Sequence, residues 1–179
     1  MTAMPSRPEG RTTAIKYGLD LLSRRDHFTP EIERRLHDAG YSAETVVEAI
    51  QELHRQGLLD DQRLADHRVQ RWRRQGRSEA ECRSRLQAGG VDSMIIQKAL
   101  GWRVEPGNSE LDSEIDPEIQ AAIEALRRSM PAAGGISSPK KLASRLGRRG
   151  FEADTIRAAL RHYGLDDFMS ESSDDSSMT

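Results

Sequence analysis

The sequence predicts an all-α protein built from three tandem copies of a three-helix unit, arranged as an elongated, curved rod. Three observations predict the fold. First, a motif recurs. Arg35-Leu36 with Gly40-Tyr41 returns as Arg85-Leu86 with Gly90-Val91, and again as Arg145-Leu146 with Gly150-Phe151. Second, apolar residues around each motif follow helical spacing. Third, no segment sustains a two-residue alternation, so essentially no β-sheet is expected.

The copies are expected at 13–57, 58–101 and 116–164. In each, one helix precedes a pair joined by a glycine turn. The leading helix of copy one carries Ile15, Gly18, Leu19 and Leu22 on one face. Leu64, Ala65, Val69 and Trp72 do so in copy two, and Ile119, Ala122, Ile123, Leu126 and Met130 in copy three. The next helix presents an apolar pair at i, i+4: Ile32/Leu36, Cys82/Leu86 or Leu142/Leu146. Gly40, Gly90 and Gly150 then end it, because a helix C-cap needs a positive φ. The third helix brings Val46, Ile96 and Ile156 into register, followed by Ala49-Ile50, Ala99-Leu100 and Ala159-Leu160. Ser42 and Asp92 are expected to cap it, with Glu152 or Asp154 in the last copy. Ser78 and Ser138 are expected caps of the middle helices, and Pro30 and Pro139 fit their first turns, where no N–H is needed.

Between and beyond the copies, residues 1–12 and the tail from 165 to 179 read as disordered, the tail being acidic. Residues 102–115 read as an acidic linker, and Pro131-Ala-Ala-Gly-Gly135 as a breaker within copy three.

Composition narrows the function classes. Of 179 residues, 36% are hydrophobic and only 4% aromatic, which fits several thin cores better than one deep one. No apolar run reaches the length of a membrane span, and the N-terminus lacks a secretory apolar stretch. The single cysteine, Cys82, excludes an intrachain disulfide and a thiolate zinc cluster. A cytoplasmic protein with no membrane association is expected.

The net charge of -2 averages opposed blocks. Residues 61–88 carry eight arginines against four acids, and residues 140–161 seven Lys and Arg against two. Residues 104–119 carry six acids and no base, and residues 164–179 five acids and no base. Basic bodies between acidic spacers point to a polyanionic or acidic partner. Helical geometry organises the cations. At 100° per residue, Arg63, His67 and Arg74 fall opposite the apolar stripe of their helix, with Arg71 beside them. Lys141, Arg145 and Arg148 follow i, i+4, i+7 with Arg149 adjacent, and Arg157/Arg161 make an i, i+4 pair. The planar guanidinium fork suits phosphate and carboxylate, so these eight arginines and Lys141 are the candidate partner-binding and DNA-binding set. Set against a merely solvated face, two organised stripes on repeats of one unit favour binding.

No catalytic residue, cofactor site or metal site is predicted. The chain has no phosphate loop, no HExxH and no nucleophile elbow. Its five histidines make no i, i+4 ligand pair. Cys82 aligns with Ile32 and Leu142 and reads as a small core residue. Asp60-Asp61 invites a metal or general-acid reading, but no further ligands converge. Capping is the expectation, one carboxylate taking N–H groups at the helix start and the other meeting the positive end of a dipole. Trp72 sits on an apolar face, so burial is expected over base stacking.

These residues resemble those of a known family. Gly57-Leu58-Leu59-Asp60-Asp61-Gln62-Arg63-Leu64-Ala65, then an Arg-rich helix, Gly76, and a helix ending Leu86 and Gly90-Val91 are similar to the RecX regulatory proteins. So is the preceding Glu31-Ile32, Leu36 and Gly40-Tyr41. The resemblance covers 13–163 and is most specific over 29–100. It implies a non-enzymatic rod of three-helix repeats that binds RecA and the RecA–single-stranded-DNA filament. It implies inhibition of RecA's ATPase, recombinase and coprotease activities, with a monomeric protein also contacting nucleic acid non-specifically through phosphates. Leu64 stands where the family commonly has Phe, and Arg68 where it often has Tyr. The competing reading is a helix-turn-helix transcriptional regulator, since glycine-turn helix pairs look alike at this level. Three near-equivalent copies in one chain argue against it, because a repressor presents one reading helix per half-site.

Overall fold

The computed structural model describes residues 10–101, 115–130 and 138–165. Among them every regular element is a helix, and the helices come in threes. Copy one gives α1 (Arg11–Arg24), α2 (Thr29–Asp38) and α3 (Ala43–Arg55). Copy two gives α4 (Asp61–Arg74), α5 (Glu79–Ala88) and α6 (Ser93–Gly101). Copy three gives α7 (Pro117–Ser129), α8 (Pro139–Arg148) and α9 (Ala153–His162). Most of the expected N-terminal, linker and tail segments, and the 131–135 breaker, lie outside the described residues. Arg11 and Thr12, expected to precede the fold, are helical.

The recurring motif makes the same turn three times. Gly40, Gly90 and Gly150 have φ of 90°, 76° and 84°. Each glycine N–H donates to the carbonyl three residues back, and the next N–H reaches the carbonyl of Leu36, Leu86 or Leu146 at 3.2, 3.2 and 3.3 Å. This pair of hydrogen bonds satisfies carbonyls that a helix end would leave bare. The apolar residue that follows folds back into the interior: Tyr41, Val91 and Phe151 are all buried.

Caps follow the sequence in part. Ser42 Oγ accepts from Thr45 N–H at 3.3 Å, Asp92 Oδ1 from Met94 at 2.8 Å, and Ser78 Oγ from Glu81 at 3.2 Å. Ser138 and Glu152 occupy the cap positions without a side-chain cap bond. Pro30 and Pro139 do sit in the first helical turn.

The chain forms two compact units. One holds residues up to His67 with Arg85–Ala99, and the other Arg68–Ser84 with the chain from Leu100 onward. The division passes through α4 and α5, so each unit contains one junction between consecutive copies. In the first unit Ile32, Leu36, Val46, Ala49 and Leu53 close the α1–α2–α3 core. In the second, Ala122, Leu126, Leu142, Leu146, Ala159 and Leu160 close the α7–α8–α9 core. Full burial of a large apolar side chain contributes about 1.5–3 kcal/mol. The aligned residues of copy two, Cys82, Leu86, Ile96 and Ala99, are buried in the same way.

Periodicity misplaces one residue of a face. In α1 the buried residues are Ala14, Gly18 and Leu21, whereas Leu19 is exposed. Gly18 lets α1 lie close on α3, because a Cβ there would stand 2.8 Å from Leu53 Cδ1. Ile15 and Leu22 pack against the same core, and Leu19 alone of the four faces outward.

Candidate polyanion-binding surface

The junctions explain the Asp60-Asp61 pair. Asp60 caps α4, its Oδ1 accepting from Arg63 N–H at 2.9 Å. Asp61 serves another helix. Its Oδ1 accepts from Thr29 N–H at 2.8 Å and from Thr29 Oγ1 at 3.1 Å, at the start of α2. A carboxylate from copy two thus meets the positive end of a copy-one helix. Beside it, Phe28 packs on Gly89 and Pro30 on Gly90; a Cβ on either glycine would stand 3.1 Å from these rings.

The second unit repeats this arrangement with other residues. Both Glu118 carboxylate oxygens accept from Glu79 N–H, at 2.9 and 3.0 Å, so a copy-three acid covers the start of α5. Burial nevertheless raises the Glu118 carboxyl above its ordinary range, against the lowering effect of that N–H. Ala80 and Ser78 pack on Gly150, and Ser78 Oγ donates to the Arg149 carbonyl. Gly76, at φ 72°, lies so close to α7 that a Cβ would fall 2.6 Å from the Ala125 nitrogen.

The predicted cations divide into two kinds. On α4, Arg63, Arg71 and Arg74 are exposed, as the helical wheel requires. Arg73, which flanks the apolar stripe, instead turns its Nη2 to the Leu100 carbonyl at 2.7 Å. On α8, Lys141, Arg145 and Arg148 are exposed and the helix carries no acid. Arg145 Nη1 also reaches the Ser129 carbonyl at 3.2 Å. On α9, Arg157 and Arg161 are exposed, Arg157 pairing with Asp154 at 3.0 Å. A surface pair of that kind contributes about 0–1 kcal/mol and opens readily to a stronger anion.

Arg149 is of the other kind. It is half-buried, and its Nη2 donates to the Gly76 carbonyl at 2.6 Å. Its place is in the junction, where it ties the start of the α8–α9 turn to the α4–α5 turn. Sequence adjacency to Arg148 conceals this, because the partner lies 73 positions away. Arg127 and Arg128 share Glu124, at 2.7 and 2.6 Å, and hold its carboxyl at about 2.

Cys82 is fully buried, and burial pushes its thiol up to about 12. Among the described residues no group of His, Cys, Asp and Glu could hold a metal ion. No helix among them is long and apolar enough to cross a membrane. Trp72 is half-buried on the α4 core face.

Known proteins align with this chain over nearly its whole length. A regulatory protein RecX from Stenotrophomonas maltophilia is 32% identical over 90% of this chain and 93% of its own. The chain belongs to the RecX family. A RecX from Chlorobaculum tepidum is 29% identical over 84% of the chain and 88% of its own length. The family model described as RecX, first three-helix domain, matches residues 14–53, which is copy one without its outermost turns. The fold agrees. The crystal structure of RecX from Lactobacillus salivarius superposes with a TM-score of 0.66, covering 87% of this chain and 97% of that one at 18% identity. A second RecX crystal structure gives 0.59 over 81% of this chain. Membership makes this chain a regulatory protein of the RecX kind, with three three-helix repeats.

Proposed function

We propose that this chain binds RecA and the RecA–single-stranded-DNA filament and restrains RecA's ATPase, recombinase and coprotease activities. The observation that carries this reading is family membership across nine-tenths of the chain. The mechanism follows from what the surface offers. Exposed cations on α4, α8 and α9 suit DNA phosphates or acidic loops of a filament, through charge-assisted bonds that need no fixed base sequence. Three helices carry such groups, so binding need not be confined to a single cleft. A molecule that engages neighbouring filament subunits changes how the polymer grows or falls apart, without any bond being made or broken.

The test is equilibrium binding to RecA–DNA filaments, to RecA alone and to single-stranded DNA alone, across a salt series. Binding should be tightest to the filament and fall with salt. Two triple variants, Arg63/Arg71/Arg74→Ala and Lys141/Arg145/Arg148→Ala, should each bind more weakly with a shallower salt slope. Every single-strand phosphate that a variant no longer neutralises should reduce that slope by about 0.7. Two variants that bind like the parent chain would remove the cationic surface from the mechanism. A footprint on one duplex sequence would point to a transcriptional regulator instead.

A further inference from the structure

One surface feature borders the cations of α9. Between the start of α7 and the end of α9 lies a groove of about 330 Å³. Its floor is apolar, from Ile115, Ile119, Ile123 and Ala158, and its rim carries Arg161 and His162. Ile115 is 46% exposed, among the most exposed large apolar side chains of the described residues. The rim's one acid, Asp116, already accepts from Glu118 N–H at 2.8 Å. At the small end of ligand-sized clefts, about 300–1,000 Å³, the groove has room for one or two side chains.

We propose that this groove receives the C-terminal segment of the same chain, with Phe168 and Met169 on its floor and the flanking acids toward Arg161 at its rim. Three observations converge. The first is reach. Gly164 turns the chain at φ 64°, and Leu165 N–H donates to the Leu160 carbonyl at 3.0 Å, with Leu165 packed on this unit's core. The chain is thus held within a turn of Arg161 and His162 where it leaves the described structure. Three further residues span at most about 10 Å, so Phe168 stays within that distance of Leu165, next to the helix end that lines the groove. The second is the apolar pair. Phe168-Met169 is the one adjacent pair of large apolar residues after Leu165. The third is charge: Asp166, Asp167, Glu171, Asp174 and Asp175 bracket that pair with no base among them, while α9 carries the exposed Arg157 and Arg161. Tethering makes the association intramolecular, at an effective concentration of the order of millimolar, so a shallow groove suffices. The consequence, which rests on the proposed function, is that the docked tail screens the α9 cations until a stronger polyanion displaces it.

The test uses the full chain. The double substitution Phe168→Ser/Met169→Ser should shift the backbone amide resonances of Ile119, Ile123, Ala158 and His162 while leaving those of α2 in place. A peptide spanning 166–179, added to that variant, should move them back. Unchanged groove resonances in the variant would overturn the proposal. So would resonances that respond instead to Leu111→Ser in the preceding segment, or only to added RecA filament. A second arm separates the two readings. Asp166→Asn/Asp167→Asn/Glu171→Gln should raise affinity for an oligo-dT probe several-fold at low salt. Groove shifts in the first arm with unchanged oligo-dT affinity in the second would uphold docking and count against phosphate binding by α9.

Discussion

Gly76 offers a sharp test of the second junction. A methyl group there would meet the Ala125 nitrogen at 2.6 Å, the Ala125 Cα at 2.8 Å and the Ala121 carbonyl at 3.1 Å. Carbon contacts are comfortable at about 3.5–4.0 Å, so the α4–α5 turn and α7 would have to part by nearly an ångström. Both sides are backbone, and neither can rotate away. Overpacking of this kind costs about 1–3 kcal/mol. The residue also sits at φ 72°, and placing a side chain in that left-handed region adds about 1–2 kcal/mol. Gly76→Ala should therefore destabilise by about 2–5 kcal/mol. Gly164 isolates the backbone part, because it has φ 64° in the same unit and no described residue comes within 4 Å of where a Cβ would stand. Gly164→Ala should cost only about 1–2 kcal/mol. Urea unfolding, followed by a probe on α7–α9, measures both. Equal costs, within about 0.5 kcal/mol, would refute the close approach of the turn to α7, since unrelated surface changes differ by no more than that.

Three further outcomes follow from the same structure. Asp61→Ala leaves Thr29 N–H without its acceptor and should cost about 1–3 kcal/mol, whereas Asp60→Ala removes an ordinary cap at about 1 kcal/mol; urea melts of both variants decide. Glu52 and Glu124 are held at about 2, chiefly by hydrogen bonds from Arg55 and from Arg127, against 4.5 in the unfolded chain. The folded state then binds fewer protons, so their contribution is complete above pH 4.5 and is lost as pH falls toward 2. Glu124→Gln should flatten that acid limb in thermal melts, while Glu118, shifted upward, acts in the opposite sense above 4.5. Cys82 should resist iodoacetamide at about pH 8 in the native protein and react fully in urea, because it is buried with its thiol near 12.

The repeats are legible in the sequence because each copy must close its own core with the same residues. Ile32, Cys82 and Leu142 match in place and in burial, as do Ala49, Ala99 and Ala159. Glycine turns are legible for a similar local reason, since a φ near 90° leaves little choice of residue. The junctions are not. Thr29 and Asp61 are 32 positions apart, and Ser78 and Arg149 71 apart; no local period links them. Junction chemistry also changes between copies: Phe28 on Gly89 becomes Ser78 on Arg149, so alignment of the copies hides the shared geometry. The same distance effect separates Arg149 and Arg73, whose heads turn to backbone carbonyls, from the exposed Arg148 and Arg74. Phe28, fully buried beside a turn, carries no periodic signal because it precedes its helix. On α1 the expected stripe holds for Ile15, Gly18 and Leu22 and fails only at Leu19, which lies at its edge.

Regulation of RecA is best tested on RecA's own single-strand-DNA-dependent ATP hydrolysis, with this protein titrated from well below RecA's concentration to equality. Inhibition is expected at substoichiometric amounts, because one molecule acting on a polymer affects many subunits. Undiminished hydrolysis at equal concentrations would rule out the proposed regulation.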